Sequence, residues 1–300
     1  MQINMIRSDK VYQEMLDLPL EKREGCFRAK ILAPFAMKYQ TQHIPLKAKY
    51  PGGFDALFLL GFMNQLPGTL SEKDRPAIDS LSSDQLWQDC QDTIKRSIGL
   101  FEQAGYDLEV EDYHFTILLG NPDKPMLQLN KGYSGDGGIP GYLMLSLLPN
   151  DYTLPRVQAA LAHECNHNVR FQFIKWKQQT TLADWVVSEG LAESFAAELY
   201  GKELIGPWVT STSPEQLDEI KPIISSQLQL TGMAEIAPYL YGDEIAEIQG
   251  QLPVGMPYAA GYAYGYHLIQ TYLKKTGKSI IEATVTSTEE ILEVTKDFWK

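Results

Sequence analysis

His163-Glu164-Cys165-Asn166-His167 sets two imidazoles four residues apart with a carboxylate between them. On a helix, residues i and i+4 share a face, so both rings can aim a nitrogen at one point while Glu164 stands beside it. A fold built around this stretch must bury that helix. It must also bring another ligand to the same point, because two histidines leave a zinc ion under-ligated. The flanking sequence agrees with a helix: residues 154–162 are good helix formers, Pro155 sits in the first turn, and Thr153 or Asp151 is placed as cap. Ala160, Val169, Phe171 and Phe173 carry the apolar positions beyond one stripe, as in a helix buried on more than one side.

The third ligand is expected from a second helix over residues 185–198. Glu189 lies there in an otherwise apolar run, where a buried carboxylate is costly unless a cation or hydrogen bonds satisfy it. Glu193 lies one turn further along the same face, placed to accept the remaining ring N–H of a ligating histidine. Gly190 costs about 1 kcal/mol against alanine in a helix, which predicts that the two helices approach closely there. Asp184 and Glu198 are the competing third ligands. Capping at the start of the second helix explains Asp184 without a metal.

Hydrolysis at such a centre also needs a donor for a developing oxyanion. Residues 257–269 gather four phenols and one imidazole among small side chains. Their spacing puts Tyr258, Tyr262 and Tyr266 on one helix face, with Tyr262 the first candidate because it follows Gly261 and is central, and His267 a more distant one. The competing reading has these rings packing a helix against the core.

The pairing of His163-Glu164-x-x-His167 with Ser188-Glu189-Gly190-Leu191-Ala192 resembles the gluzincin metallopeptidases, and the run from Glu189 to Ala192 is similar to the third-ligand segment of aminopeptidase N-like enzymes. A closer resemblance, over roughly residues 100–295, is to the bacterial domain of unknown function 2268, described as a zinc-dependent protease. Its pattern also takes in Glu193 and Gly261-Tyr262-x-x-Gly265-Tyr266. The resemblance implies His163, His167 and Glu189 as ligands of Zn2+, Glu164 as general base, Glu193 as support for a ligand, and a peptide or protein substrate. The interval from His167 to Glu189 is slightly longer than the usual gluzincin gap, which puts a longer loop within residues 176–181.

An α+β, zincin-like fold follows, with a small mixed sheet, an active-site helix and a mainly helical remainder. Residues 113–120 and 142–148 read as strands, 126–129 as a shorter one between them, and 134–138 as a loop able to rim a cleft. One of these strands at a sheet edge would suit an extended peptide. His114 reads as a strand residue and His43 as a loop residue. Residues 12–35 and 84–104 have helical periodicity, residues 54–62 read as a short buried helix, and a docked helix is expected around 289–299. The expected division is a mainly helical N-terminal region, 1–105, packed on a catalytic part, 106–300.

A net charge of −12, from 26 basic and 38 acidic side chains, argues against binding a phosphate backbone. Three cysteines without a pairing pattern fit a reducing cytoplasm, and Cys165 is expected to be a core thiol pointing away from the histidines. The first ten residues have no following apolar core of an export signal, and no stretch is long and apolar enough to span a membrane. Two alternatives to a hydrolase stay open at this point: a non-hydrolytic zinc-containing interaction or regulatory module, and a chain that binds no metal.

Overall fold

The computed structural model describes residues 1–176 and 179–299. By packing, the chain divides into two units, Met1–Arg96 with Glu109–Leu161, and Ser97–Leu108 with Ala162–Lys300.

The first unit contains strand β1 (Gln2–Met5), helix α1 (Ser8–Asp17), most of helix α2 (Asp84–Gln103), and strands β2 (Asp112–Leu119), β3 (Tyr133–Asp136) and β4 (Tyr142–Leu147). The sheet order is β1-β2-β4-β3. Strands β1 and β4 run parallel to β2, with Ile3 opposite Tyr113 and Phe115 opposite Leu143, while β3 runs antiparallel to β4. Parallel neighbours need long crossovers, which the intervening helical segments supply. Both faces of β2 are covered, so its second half is continuously buried and lacks the alternation of a one-sided sheet. On one face Trp87 packs on Phe115 at 5.8 Å; on the other, Phe35 packs on His114 and Tyr142 at 6.4 and 5.9 Å. A small mixed sheet with a mainly helical remainder is the α+β arrangement expected from sequence.

Several local expectations need correction. Residues 126–129 belong to a helical turn, Pro125–Leu129, because Pro125 at the first position starts a helix readily and lacks the N–H a strand needs. Of the stretch expected as a loop, residues 134–136 instead belong to β3, with Gly135 opposite Leu145, while Gly137 and Gly138 lie outside the strand. Neither 113–120 nor 142–148 is an edge; the edges are β1, which carries little strand signal, and β3. Residues Ala56–Leu60 are helical, but Phe54, Phe58 and Phe62 are 53%, 49% and 42% exposed, so this helix is not a buried one.

The second unit is helical: the end of α2, α3 (Val157–Phe173) from Ala162 onward, α4 (Leu182–Tyr200), a short α5 (Pro207–Thr210), α6 (Ala260–Thr276), α7 (Ile280–Thr284) and α8 (Thr288–Val294) among its elements. Helix α4 is buried on nearly every side, as a helix apolar all round must be. Its N-terminal donors are all accounted for. Thr181 and Asp184 form a reciprocal capping box, and the N–H groups of Leu182 and Ala183 donate to Leu230 O and Leu228 O at 2.9 Å. A Cβ on Gly190 would fall inside contact distance of Gly265 O on α6, and one on Gly265 would meet Val186 O. The close approach predicted at Gly190 is therefore real, but its partner is α6 and not the histidine helix.

Helix α3 is tied to the far end of the chain by Arg170, which is fully buried. Its guanidinium donates to Ser188 Oγ at 3.1 Å, to Thr284 O and Thr286 O at 2.8 and 3.0 Å, and to Thr288 Oγ1 at 3.3 Å. Asn166 adds a bond from Nδ2 to Thr284 Oγ1 at 2.7 Å. The connection between α3 and α4 includes Lys177 and Gln178, which lie outside the described residues, so the loop expected at 176–181 is seen only at its ends. The expected C-terminal helix is two short ones, Thr288–Val294 and Lys296–Trp299, with Ile291 buried.

Candidate metal centre

Helix α3 runs unbroken through the motif, so His163 and His167 emerge one turn apart on the side facing α4. Both rings and Glu189 are buried. His163 Nε2 and His167 Nε2 are 3.1 Å apart, and each lies 3.2 Å from Glu189 Oε2. Among the described residues, these three form a group able to hold a metal ion.

The chemistry of this donor set can be tested against zinc. His163 Nδ1 lies 2.8 Å from Glu193 Oε2, and a carboxylate oxygen only accepts, so Nδ1 carries a proton and Nε2 is left to present a lone pair to a cation or to bind a proton in its place. Three electron-rich atoms then converge in a buried space, which is unfavourable unless positive charge lies between them. Ligands about 2.0–2.1 Å from a tetrahedral zinc stand about 3.3–3.4 Å from one another. The observed 3.1–3.2 Å is close to that spacing, so the residues fit the ion. The electrostatics point the same way. Burial pulls the His163 imidazole down, yet its bonds to Glu189 and Glu193 outweigh this and hold it well above the usual range. Burial pushes Glu189 up, but His167 and His163 beside it bring it to about 2.

Glu164 is buried beside these groups, close enough for its charge to raise both His163 and the Tyr262 phenol. Tyr262 projects from the first turns of α6, half-buried, and burial together with Glu189, Tyr241, Glu164 and Tyr258 pushes its hydroxyl well above the ordinary phenol range. Tyr258 does not share the helix: α6 starts at Ala260, after Ala259 in a left-handed conformation with φ of 54°. Tyr266 does lie on α6, where burial and then Glu193 raise its hydroxyl. His267 is not part of the ligating group; its ring packs on Tyr266 at 5.4 Å, and burial and then Lys221 lower it.

The competing acids have other tasks. Asp184 is occupied by Thr181, whose N–H and Oγ1 donate to Asp184 Oδ2 at 2.9 and 2.8 Å, and Glu198 is exposed. Cys165 is buried and does not belong to the ligating group. Glu193 accepts a bond from His163, as its place one turn beyond Glu189 predicts. Its other partners had no ligand-like signal in the sequence: Trp208 Nε1–H donates to Glu193 Oε2 at 2.7 Å, and Gly206 N–H donates to Oε1. Only the turn signature Gly206-Pro207 just ahead of the indole could have marked this segment.

Two histidines and a downstream glutamate around one point, in an α+β chain with a small sheet, form a gluzincin-like metal site. The chain belongs to the family described as "Predicted Zn-dependent protease (DUF2268)", which it matches over residues 86–293. It is 34% identical over 293 residues to a protein of Bacillus subtilis (strain 168), "Uncharacterized protein YjfC", covering 97% of each chain. A second protein of that organism, "Uncharacterized protein YjaZ", is 27% identical over 154 residues, half of this chain and 55% of the relative. No solved structure matches.

Proposed function

We propose that the chain hydrolyses peptide bonds, with His163, His167 and Glu189 holding zinc and Glu164 as general base. The observation that carries this reading is the convergence of three ligand atoms within 3.1–3.2 Å of one another beside a buried carboxylate that ligation does not require. Zinc bound there supplies Lewis-acid polarisation of a carbonyl and lowers the pKa of a coordinated water. Glu164 takes the proton of the attacking water on a carboxylate oxygen and returns it to the leaving amine as the C–N bond breaks. Tyr262 stays protonated, because its phenol is held well above its ordinary value, and donates its O–H to the substrate oxygen as that oxygen becomes an anion. Glu193 holds His163 in the tautomer that leaves Nε2 free. Tyr258 acts on the Tyr262 hydroxyl through its charge, and Glu193 acts in the same way on Tyr266.

Three protein ligands with an adjacent carboxylate is the ligand count of hydrolytic zinc, whereas structural sites close with four. That favours a hydrolase over a non-hydrolytic zinc module. The substrate is a peptide or protein. Cys26, Cys90 and Cys165 form no disulfide among the described residues, which supports a reducing, cytoplasmic setting.

Incubation of the protein with a diverse peptide mixture, with cleavage read by mass spectrometry beside a Glu164→Gln variant, tests this reading. Zinc-dependent cutting by the parent, absent in a variant that keeps its zinc and its fold, is expected. Equal cutting by both would remove Glu164 from the chemistry, and no cutting by a zinc-loaded parent would favour the non-hydrolytic module.

A further inference from the structure

We propose that Trp208 is a positioning residue for the metal centre, acting through Glu193 on His163, with the turn at residues 205–208 serving as a clamp on that carboxylate. The inference rests on His163 being a zinc ligand.

Glu193 is 2% exposed, and a carboxylate so buried must have its oxygens satisfied. Three donors do this. Gly206 N–H takes Oε1, while Trp208 Nε1–H and His163 Nδ1–H share Oε2 at 2.7 and 2.8 Å. Two of the three come from residues only two apart in sequence, so one local conformation sets both. That conformation depends on Gly206: a Cβ there would collide with the indole of Trp208, which folds back over the glycine. Pro207 then opens the short α5 immediately after it.

The indole also lies against the rings it would influence. Its centroid is 5.9 Å from His163, edge-on at 73°, and 6.3 Å from Tyr262. His163 is thus held from two sides, by the oxygen that accepts its N–H and by the ring that donates to that same oxygen. His167 has a different arrangement. Among the described residues its Nδ1 is buried with no hydrogen-bond partner, and its ring stacks on Phe171 at 5.7 Å and 10°. Hydrogen-bonded control of ligand geometry is therefore concentrated on His163, and Trp208 is the side chain that anchors it. Loss of the indole N–H leaves Glu193 one donor short, with Oε2 held by His163 Nδ1–H alone and its position less fixed.

The test is zinc affinity of the full chain, by competition with a chromophoric chelator, for the parent, Trp208→Phe, Gly206→Ala, Glu193→Gln and the Trp208→Phe/Glu193→Gln double variant. Trp208→Phe keeps a ring against His163 and Tyr262 but removes the donor, and is expected to weaken zinc binding about 10-fold; Glu193→Gln should weaken it about 10- to 100-fold. Gly206→Ala, which displaces the indole, should match Trp208→Phe. If Trp208 acts through Glu193, the double variant binds zinc as Glu193→Gln does, within about twofold. A folded Trp208→Phe protein with parental affinity, or losses that multiply in the double variant, would overturn the proposal. The indole N–H resonance of Trp208 in the 15N-labelled parent gives a readout independent of any variant's folding. It should move on zinc addition, and an unmoved resonance in a protein that binds zinc would overturn the proposal as well. A parent that binds no zinc would instead defeat the ligand assignment, and this inference with it.

Discussion

Gly190 on α4 and Gly265 on α6 meet backbone to backbone, with no room for a methyl group on either. Glu189 is the neighbour of one of them, so the same contact that packs the helices fixes where its carboxylate emerges. Gly190→Ala places a Cβ against a backbone oxygen that cannot swing aside, a cost at or above the upper end of the overpacking range, about 3 kcal/mol. Urea unfolding should show this loss, together with weaker zinc binding as α4 shifts. A Gly190→Ala protein as stable as its parent would show that the helices part without strain.

The capping box at Thr181 and Asp184 separates a structural acid from a ligand. Asp184→Ala should lower stability by about 1 kcal/mol, the usual worth of such a cap, and leave zinc affinity unchanged. A loss of zinc in a folded Asp184 variant would reopen the choice of third ligand.

Much of this was legible in the sequence because the chemistry is local. Spacing alone put His163 and His167 on one face, and an acid in an apolar run marked Glu189. Strands β2 and β4 were readable from their composition. What the sequence hid depends on partners distant in the chain. Strand β1 is four residues long and takes its conformation from pairing with β2. Glycine-rich β3 is held by β4, not by its own propensity. Gly190 signalled a close approach but could not say to which helix. Trp208 reaches the site, and Arg170 ties α3 to α4 and to the C-terminal segment, through hydrogen bonds to residues that no periodicity connects to them.

Tyr262→Phe removes the proposed donor to the oxyanion and keeps the ring packed against Trp208. With zinc content unchanged, kcat is expected to fall by about 10²–10³, the range for loss of one such donor. The same change at Tyr266 should have little effect on kcat. If Tyr262→Phe kept parental turnover, the donor would have to be sought elsewhere.

Stripped of metal, the protein should carry a pH signature of its own. A raised His163 contributes stability that is present below its unfolded value of about 6.5 and is lost as pH rises through the higher folded value. A lowered Glu189 contributes stability present above about 4.5 and lost as pH falls towards 2. These two groups therefore favour the interval from about pH 4.5 to 6.5, with Tm declining on either side. Zinc binding displaces the His163 proton, so the rise in Tm on adding zinc should grow with pH. Thermal melts of chelator-treated protein from pH 3 to about 9, with and without zinc, read both effects. A zinc-induced shift that shrank towards high pH would contradict the assignment.

The most direct measurement of the central claim is the metal content of protein purified without chelator, determined by plasma mass spectrometry for the parent, His163→Ala and Glu189→Ala. About one zinc per chain in the parent, and little in either variant while both stay folded, is the expected result. Full zinc retention in both variants would contradict the site at His163, His167 and Glu189, and with it the hydrolytic mechanism built on it.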